Sequence, residues 1–280
     1  MNRTLVSFDW ALKRLLRQKA NFSILEGFLS VLLKRDILIL NLLESESNAE
    51  DDEQKINRVD MLVENEQKER IIIELQYSKE FDFFQRMLFA TSKHLTETLH
   101  KGKSYQDIKK VFSINLIYFD LGHGTDYVYH GKTEFRGVHQ NDVLGLSATQ
   151  KELFQKEAIY EVYPEYYVIK INNFDDIARD SLDEWIYYFK NNEVKDEFKA
   201  RGLAEVKAQL QLDGLSEQEQ QAYEKHEKML LSERGIISTA RIEGEQQARI
   251  EMAQKMKAKG FDNETISEMT GLSMDIVNDL

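Results

Sequence analysis

The chain has 280 residues, 42% hydrophobic and 31% charged, with one proline, no cysteine and a formal net charge of −12. That length carries one sizeable core with an appendage, or two small domains. The missing cysteines exclude disulfides, thiolate metal sites and cysteine nucleophiles, and the acidic balance argues against non-specific coating of DNA, which needs a cationic surface.

Charge is unevenly spread. Residues 1–35 hold seven Lys/Arg against two acids, whereas residues 44–53 hold six acids and no base. A polyanion would meet a basic patch on an acidic protein, and its binding would be salt-sensitive. No apolar run reaches about 18 residues and no signal-type leader is visible, so a soluble, cytoplasmic protein with no membrane partner is expected.

In chain order, residues 8–18 (FDWALKRLLRQ) place Phe8, Leu12 and Leu15 at helical spacing with Lys13, Arg14 and Arg17 elsewhere on the turn. A second helix is expected over 23–34, where Ser23 and Glu26 fit a capping box. Residues 36–43 (DILILNLL) have strand length, and the acidic 44–53 stretch reads as a solvated loop.

Residues 58–78 then read RVDMLVEN, EQKE, RIIIELQYS, two alternating strands around a polar turn. With side chains alternating, Arg58, Asp60 and Leu62 share one face of the first strand and Glu74 and Gln76 one face of the second. If the strands pair, Asp60 and Glu74 converge with an apolar layer behind them, making a site for a hard divalent cation such as Mg2+. An acid on the solvated face of a hairpin is ordinary, however, and the spacing alone does not decide between the two.

Residues 81–100 are expected to form an amphipathic helix with Phe84, Met87, Leu88, Thr91, Leu95 and Leu99 on its apolar stripe and Arg86 off it. Residues 111–119 (VFSINLIYF) read as a buried strand, with further strands at 127–129 and 166–171. A helix over 175–190 packs Ile177, Leu182, Trp185, Ile186 and Phe189 inward. The six histidines show no metal-ligand spacing. This order of elements defines an α/β mixed-sheet architecture.

Beyond residue 191 apolar residues thin out into a helical appendage punctuated by Gly235, Gly244, Gly260 and Gly271, with an exposed helix over 240–259 supported by pairs such as Arg241/Glu245. The division expected is 1–190, 191–235 and 236–280. Residues 264–280 (ETISEMTGLSMDIVNDL) have the size of a helix-turn-helix. Their second helix carries Asp275 and Asp279 and no base, which favours a packing or oligomerisation element over a DNA reader.

Taken together, the chain resembles the PD-(D/E)xK nuclease-family transposases, the Rpn recombination-promoting nucleases of bacteria. The likeness runs through FDWALKRLL, ILEGFLSVLL, RVDMLV…IIIELQ, FFQRMLFATSKHL and HKGKSYQDIKKVFSINLIYF. It continues through YYVIKINNF…LDEWIYYFKN and MLLSERGIISTARIEGE to MKAKGFDNETISEMTGLS. The resemblance implies a restriction-endonuclease-like α/β core, a mixed central sheet flanked by helices, with a helical C-terminal appendage. It implies a Mg2+- or Mn2+-dependent DNA endonuclease with Asp60, Glu74 and Gln76 as catalytic residues and the carbonyl of Leu75 joining Asp60 and Glu74 around the ion. Gln76 stands where many nucleases of the superfamily have lysine. It can orient a water but supplies no positive charge, so Lys13 and Arg86 are the candidates for contacting nucleic acid. DNA is the expected partner and a homo-oligomer is possible. The competing expectation is a non-catalytic nucleic-acid-binding or protein-interaction module on a degenerate nuclease fold.

Overall fold

The computed structural model describes residues 5–43, 60–97 and 104–280. The acidic 44–53 stretch, Arg58 and Leu99 lie outside the described residues. The chain divides into two compact units, one ending at Leu215 and one running from Ser216 to Leu280.

The first unit is built on a six-stranded sheet: β1 (Ile39–Leu42), β2 (Met61–Asn65), β3 (Arg70–Gln76), β4 (Val111–Ile117), β5 (Val128–Gly131) and β6 (Glu165–Lys170), in the order β1-β2-β3-β4-β6-β5. β3, β4 and β6 run parallel, while β1, β2 and β5 are joined antiparallel. Every residue of β4 is buried, as a central parallel strand covered on both faces requires. The mixed sheet and its flanking helices form the restriction-endonuclease-like α/β fold.

Helices α1 (Phe8–Arg14), α2 (Phe22–Leu33) and α5 (Ser181–Asn191) enclose an aromatic core. Phe8, Phe28, Trp185, Tyr188 and Phe189 meet there mostly edge-on or tilted, the geometry that ring quadrupoles favour. The indole of Trp185 donates to the Arg201 carbonyl and the Tyr188 hydroxyl to that of Val6, both at 3.1 Å, so the buried rings leave those polar atoms satisfied.

Four details depart from the sequence expectation. α1 ends four residues short of the predicted bound, because the chain turns after Arg14. Ser23 and Glu26 form no capping box: α2 begins at Phe22, and Glu26 instead accepts the Ile39 N–H at 2.8 Å, tying α2 to the edge strand β1. On α3 (Phe83–Thr96) the buried positions are Phe83, Thr91 and His94, and Phe84 and Leu88 are exposed. The covered stripe keeps Met87, Thr91 and Leu95 and takes Phe83 in place of Phe84 and Leu88, with Phe83 packed on Ile117 of β4 and on Phe119 beyond it. Ile177 precedes the helix it was assigned to and is exposed, because Asp180 caps α5 by accepting the Leu182 and Asp183 N–H groups.

Residues 192–215, including α6 (Leu203–Gln209), pack into the first unit, where Leu203, Val206 and Leu210 are buried. Gly27 and Gly202 let this segment approach α2. A Cβ on Gly27 would lie 2.5 Å from the Arg201 carbonyl, and Gly202 has φ +91, which favours glycine. The N–H of Val6 completes the junction by donating to Leu210 O at 3.0 Å.

In the second unit α7 (Glu217–Ala258) runs unbroken through Gly235 and Gly244, so these glycines do not punctuate it. Gly260 and Gly271 do end elements, at positive φ. α8 (Asn263–Thr270) and α9 (Met274–Asp279) fold back on α7 around Ala253, Ile266, Leu272 and Val277. The Arg241–Glu245 pair forms at 2.8 Å on the exposed face of α7. Among the described residues no helix is long and apolar enough to cross a membrane.

Candidate active site

In the β2–β3 hairpin the Asn65 carboxamide oxygen accepts the N–H groups of Gln67 and Glu69 and so holds the turn. This fixes the register at Met61 opposite Ile73. One step further, Asp60 faces Glu74, and directly opposed residues of an antiparallel pair present their side chains on one face. β2 begins only at Met61, so Glu74, Leu75 and Gln76 extend past the end of their neighbour. There Asp60 Oδ2 accepts the Leu75 N–H at 2.7 Å, and Glu74 Oε2 accepts the Asp60 N–H at 3.2 Å. A strand residue projects its N–H and C=O to the same side, so the Leu75 carbonyl leaves β3 on the side of Asp60.

Cations complete the cluster. Arg86, on α3, places Nη2 2.5 Å from Glu74 Oε1 and Nη1 2.8 Å from Glu80. Lys13, on α1, lies 2.7 Å from Asp9 and 3.8 Å from Asp60. Arg17 donates to the Asp60 carbonyl at 2.9 Å and holds that residue from behind. Gln76 lies at the same strand end, with its amide nitrogen donating to Glu80 at 2.8 Å and to the Ser78 carbonyl at 3.3 Å.

Burial pushes the Glu74 carboxyl up to about 7, helped by the nearby charge of Asp60 and opposed by Arg86. Burial also raises Asp60, against the pull of Lys13 and the Leu75 hydrogen bond. Lys13 and Arg86 both lose solvation, but the surrounding carboxylates outweigh this and hold both pKa values above the ordinary range. The pocket thus concentrates more negative charge than it neutralises easily, an environment common at functional sites.

The sequence-predicted residues Asp60, Glu74, Leu75, Gln76, Lys13 and Arg86 therefore assemble at one strand end, the two cations directed at carboxylates. Asp9 and Glu80 join them without having been singled out. Asp9 is fully buried, and the only sequence signal for it was an acid four residues before Lys13 on a helix otherwise apolar at its start. For Glu80, which precedes α3, the sequence carried no signal. Among the described residues no group of three or more His, Asp or Glu is arranged to hold a metal. The oxygens that a hard cation would have to draw on here are the two carboxylates of Asp60 and Glu74 with the neighbouring carbonyl.

A mixed sheet flanked by helices is the architecture of a nuclease-superfamily domain. The chain belongs to the PD-(D/E)XK nuclease family transposases, whose model matches residues 6–240. Residues 246–280 match the C-terminal HTH domain of the Rpn/YhgA-like nuclease family. The end of α7 with α8 and α9 makes up this matched segment, in which the second of the two short helices carries Asp275 and Asp279 and no base. No curated protein and no solved structure matches the chain.

Proposed function

We propose that the protein is a metal-dependent DNA endonuclease that hydrolyses phosphodiester bonds at the Asp60–Glu74 pair. The observation that carries this reading is the pairing of a buried acid, Glu74, with the half-buried Asp60 just beyond the end of β2, with Glu74 pushed up to about 7. Asp60, Glu74 and the Leu75 carbonyl would hold Mg2+ or Mn2+. Such an ion neutralises charge on the phosphate and acidifies a water.

The chain's own residues set the stage. Leu75 and Arg17 fix Asp60 in place, one by hydrogen-bonding its carboxylate and the other its carbonyl. Gln76 and Arg86, anchored on Glu80, border the pair on the side of α3. Gln76 is an uncharged donor and acceptor suited to orienting a water, and Arg86 is the guanidinium nearest the acids, suited to a phosphate oxygen. The HTH domain supports DNA as the partner. Purified protein incubated with DNA and Mg2+ should cleave it, and Asp60→Ala should not. Equal cleavage by both would remove Asp60 from the mechanism.

One observation favours the second reading, a non-catalytic module. Arg86 already occupies Glu74 Oε1 at 2.5 Å, a cation where the ion's ligand should be free. Thermal unfolding with added Mg2+ or Mn2+ separates the two. A functional site is stabilised by the ion because only the folded state binds it, and a degenerate site shows no shift.

A further inference from the structure

The start of β3 at Arg70 lies roughly 13 Å from Glu74 and roughly 20 Å from Gln76, at about 3.3 Å per strand residue. At that start the first unit has a cleft of about 770 Å3, floored by Phe112 and Tyr167 and walled by Tyr160. The volume is in the range of small-ligand sites, roughly 300–1,000 Å3. Its acids are all committed to fixed partners. Glu69 is held by Arg35 and by Asn65, and Glu165 by Lys110 at 2.8 Å and His130 at 2.6 Å. Glu161 accepts the N–H groups of Glu157 and Ala158.

Of the four lysines only Lys110 is so committed, to Glu165 and to the Tyr160 and Tyr163 carbonyls. Lys34, Lys132 and Lys156 line the cleft, and among the described residues none of them meets a carboxylate. Lys132 lies over the Tyr160 ring at 4.5 Å, and Lys156 is close enough to Lys110 to disfavour its charge. The His130 ring stacks on Tyr167 with centroids 4.3 Å apart and planes 9° from parallel, and its side chain remains 39% exposed. A two-ring platform with an accessible outer member, beside unneutralised ammonium groups, matches a planar base joined to a phosphate.

We propose that this cleft binds a nucleotide unit, separately from the Asp60–Glu74 pair. The unit could be a free nucleotide or one residue of a single strand, and the two sources share the same recognition chemistry. Neither the platform nor the lysines depend on whether the acid pair hydrolyses anything.

The test measures binding of AMP and of a short single-stranded oligodeoxynucleotide to the full chain in metal-free buffer. The variants are Lys132→Glu with Lys156→Glu, His130→Ala and Asp60→Ala. Saturable binding of AMP assigns the cleft to a free nucleotide, and binding of the strand alone assigns it to a nucleotide within a strand. In either case the double charge reversal should weaken binding by about tenfold or more and His130→Ala by about fivefold or more, the scale of lost phosphate contacts and base stacking, while Asp60→Ala leaves it unchanged. Lys132 is exposed and Lys156 partly so, and the double variant should fold, which circular dichroism checks. Failure of both probes to bind overturns the proposal. So does binding indifferent to the charge reversal, which would place the ligand elsewhere, on the acid pair or on the HTH domain.

Discussion

The backbone N–H of Asp60 donates to the carboxylate of Glu74 at 3.2 Å, so the main chain that presents one acid also holds the other. Asp60 returns the connection through its own carboxylate, which accepts the N–H of Leu75, the residue next to Glu74. The two acids are positioned as a unit, and each can be altered without dismantling the hairpin beneath.

Asp60→Asn keeps an acceptor for Leu75 while removing a half-buried charge whose pKa the loss of solvation has raised. The variant should be as stable as the parent or slightly more so. It should lose DNA cleavage by about a hundredfold or more, the scale of removing one group that stabilises transition-state charge. Unfolding midpoints and single-turnover cleavage rates check the two halves separately, and a destabilised variant would contradict the first.

The raised carboxyl of Glu74 gives a pH dependence of known sign. Its folded pKa of about 7 lies above the ordinary 4.5, so the folded protein binds this proton more tightly than the unfolded chain does. Stability from this group is therefore full below about 4.5 and lost as pH rises through 7, by roughly 3 kcal/mol as an upper bound. Urea unfolding of the parent should show this decline, and Glu74→Gln should flatten it. Ion binding needs the deprotonated form, so Mg2+ affinity should rise over the same window.

Arg86→Ala leaves Glu74 and Glu80 facing each other without their shared guanidinium. Arg86 is partly exposed, so the loss should be about 1–3 kcal/mol, less than for a fully buried pair. The Glu74 carboxyl should rise further, which NMR titration of the labelled side chain would detect. If Arg86 blocks the ion as the non-catalytic reading holds, Mg2+-dependent stabilisation should appear in this variant and be absent from the parent.

Gly27→Ala tests how the segment beyond α5 is joined to α2. The new Cβ would lie 2.5 Å from the Arg201 carbonyl and 2.6 Å from Gly202 Cα, both backbone atoms with little room to yield. Overpacking of this kind costs about 1–3 kcal/mol. Chemical denaturation should register the loss, and Gly145→Ala, where a Cβ meets nothing within 4 Å, should not.

The sequence determined the elements and the acids. Period-two alternation marked the hairpin, an unbroken apolar run marked β4, and the match of short motifs in order marked the family, because each is a local property of consecutive residues. It put Asp60 and Glu74 on one face only on condition that the strands pair, and the register that meets this condition is held by Asn65 in the turn. Local pattern failed where two faces of a helix are both apolar. Phe84 and Leu88 fit a stripe as well as Phe83 does, and only the sheet beneath α3 decides which is covered. It failed likewise where a side chain has two possible partners, as with Glu26, which bonds a strand thirteen residues on instead of its own helix cap. The tertiary structure alone brought Asp9, Glu80 and Arg17 to the acid pair and opened a lysine-lined cleft at the far end of β3. Contacts between distant segments depend on how layers pack, and periodicity within one segment carries no record of them.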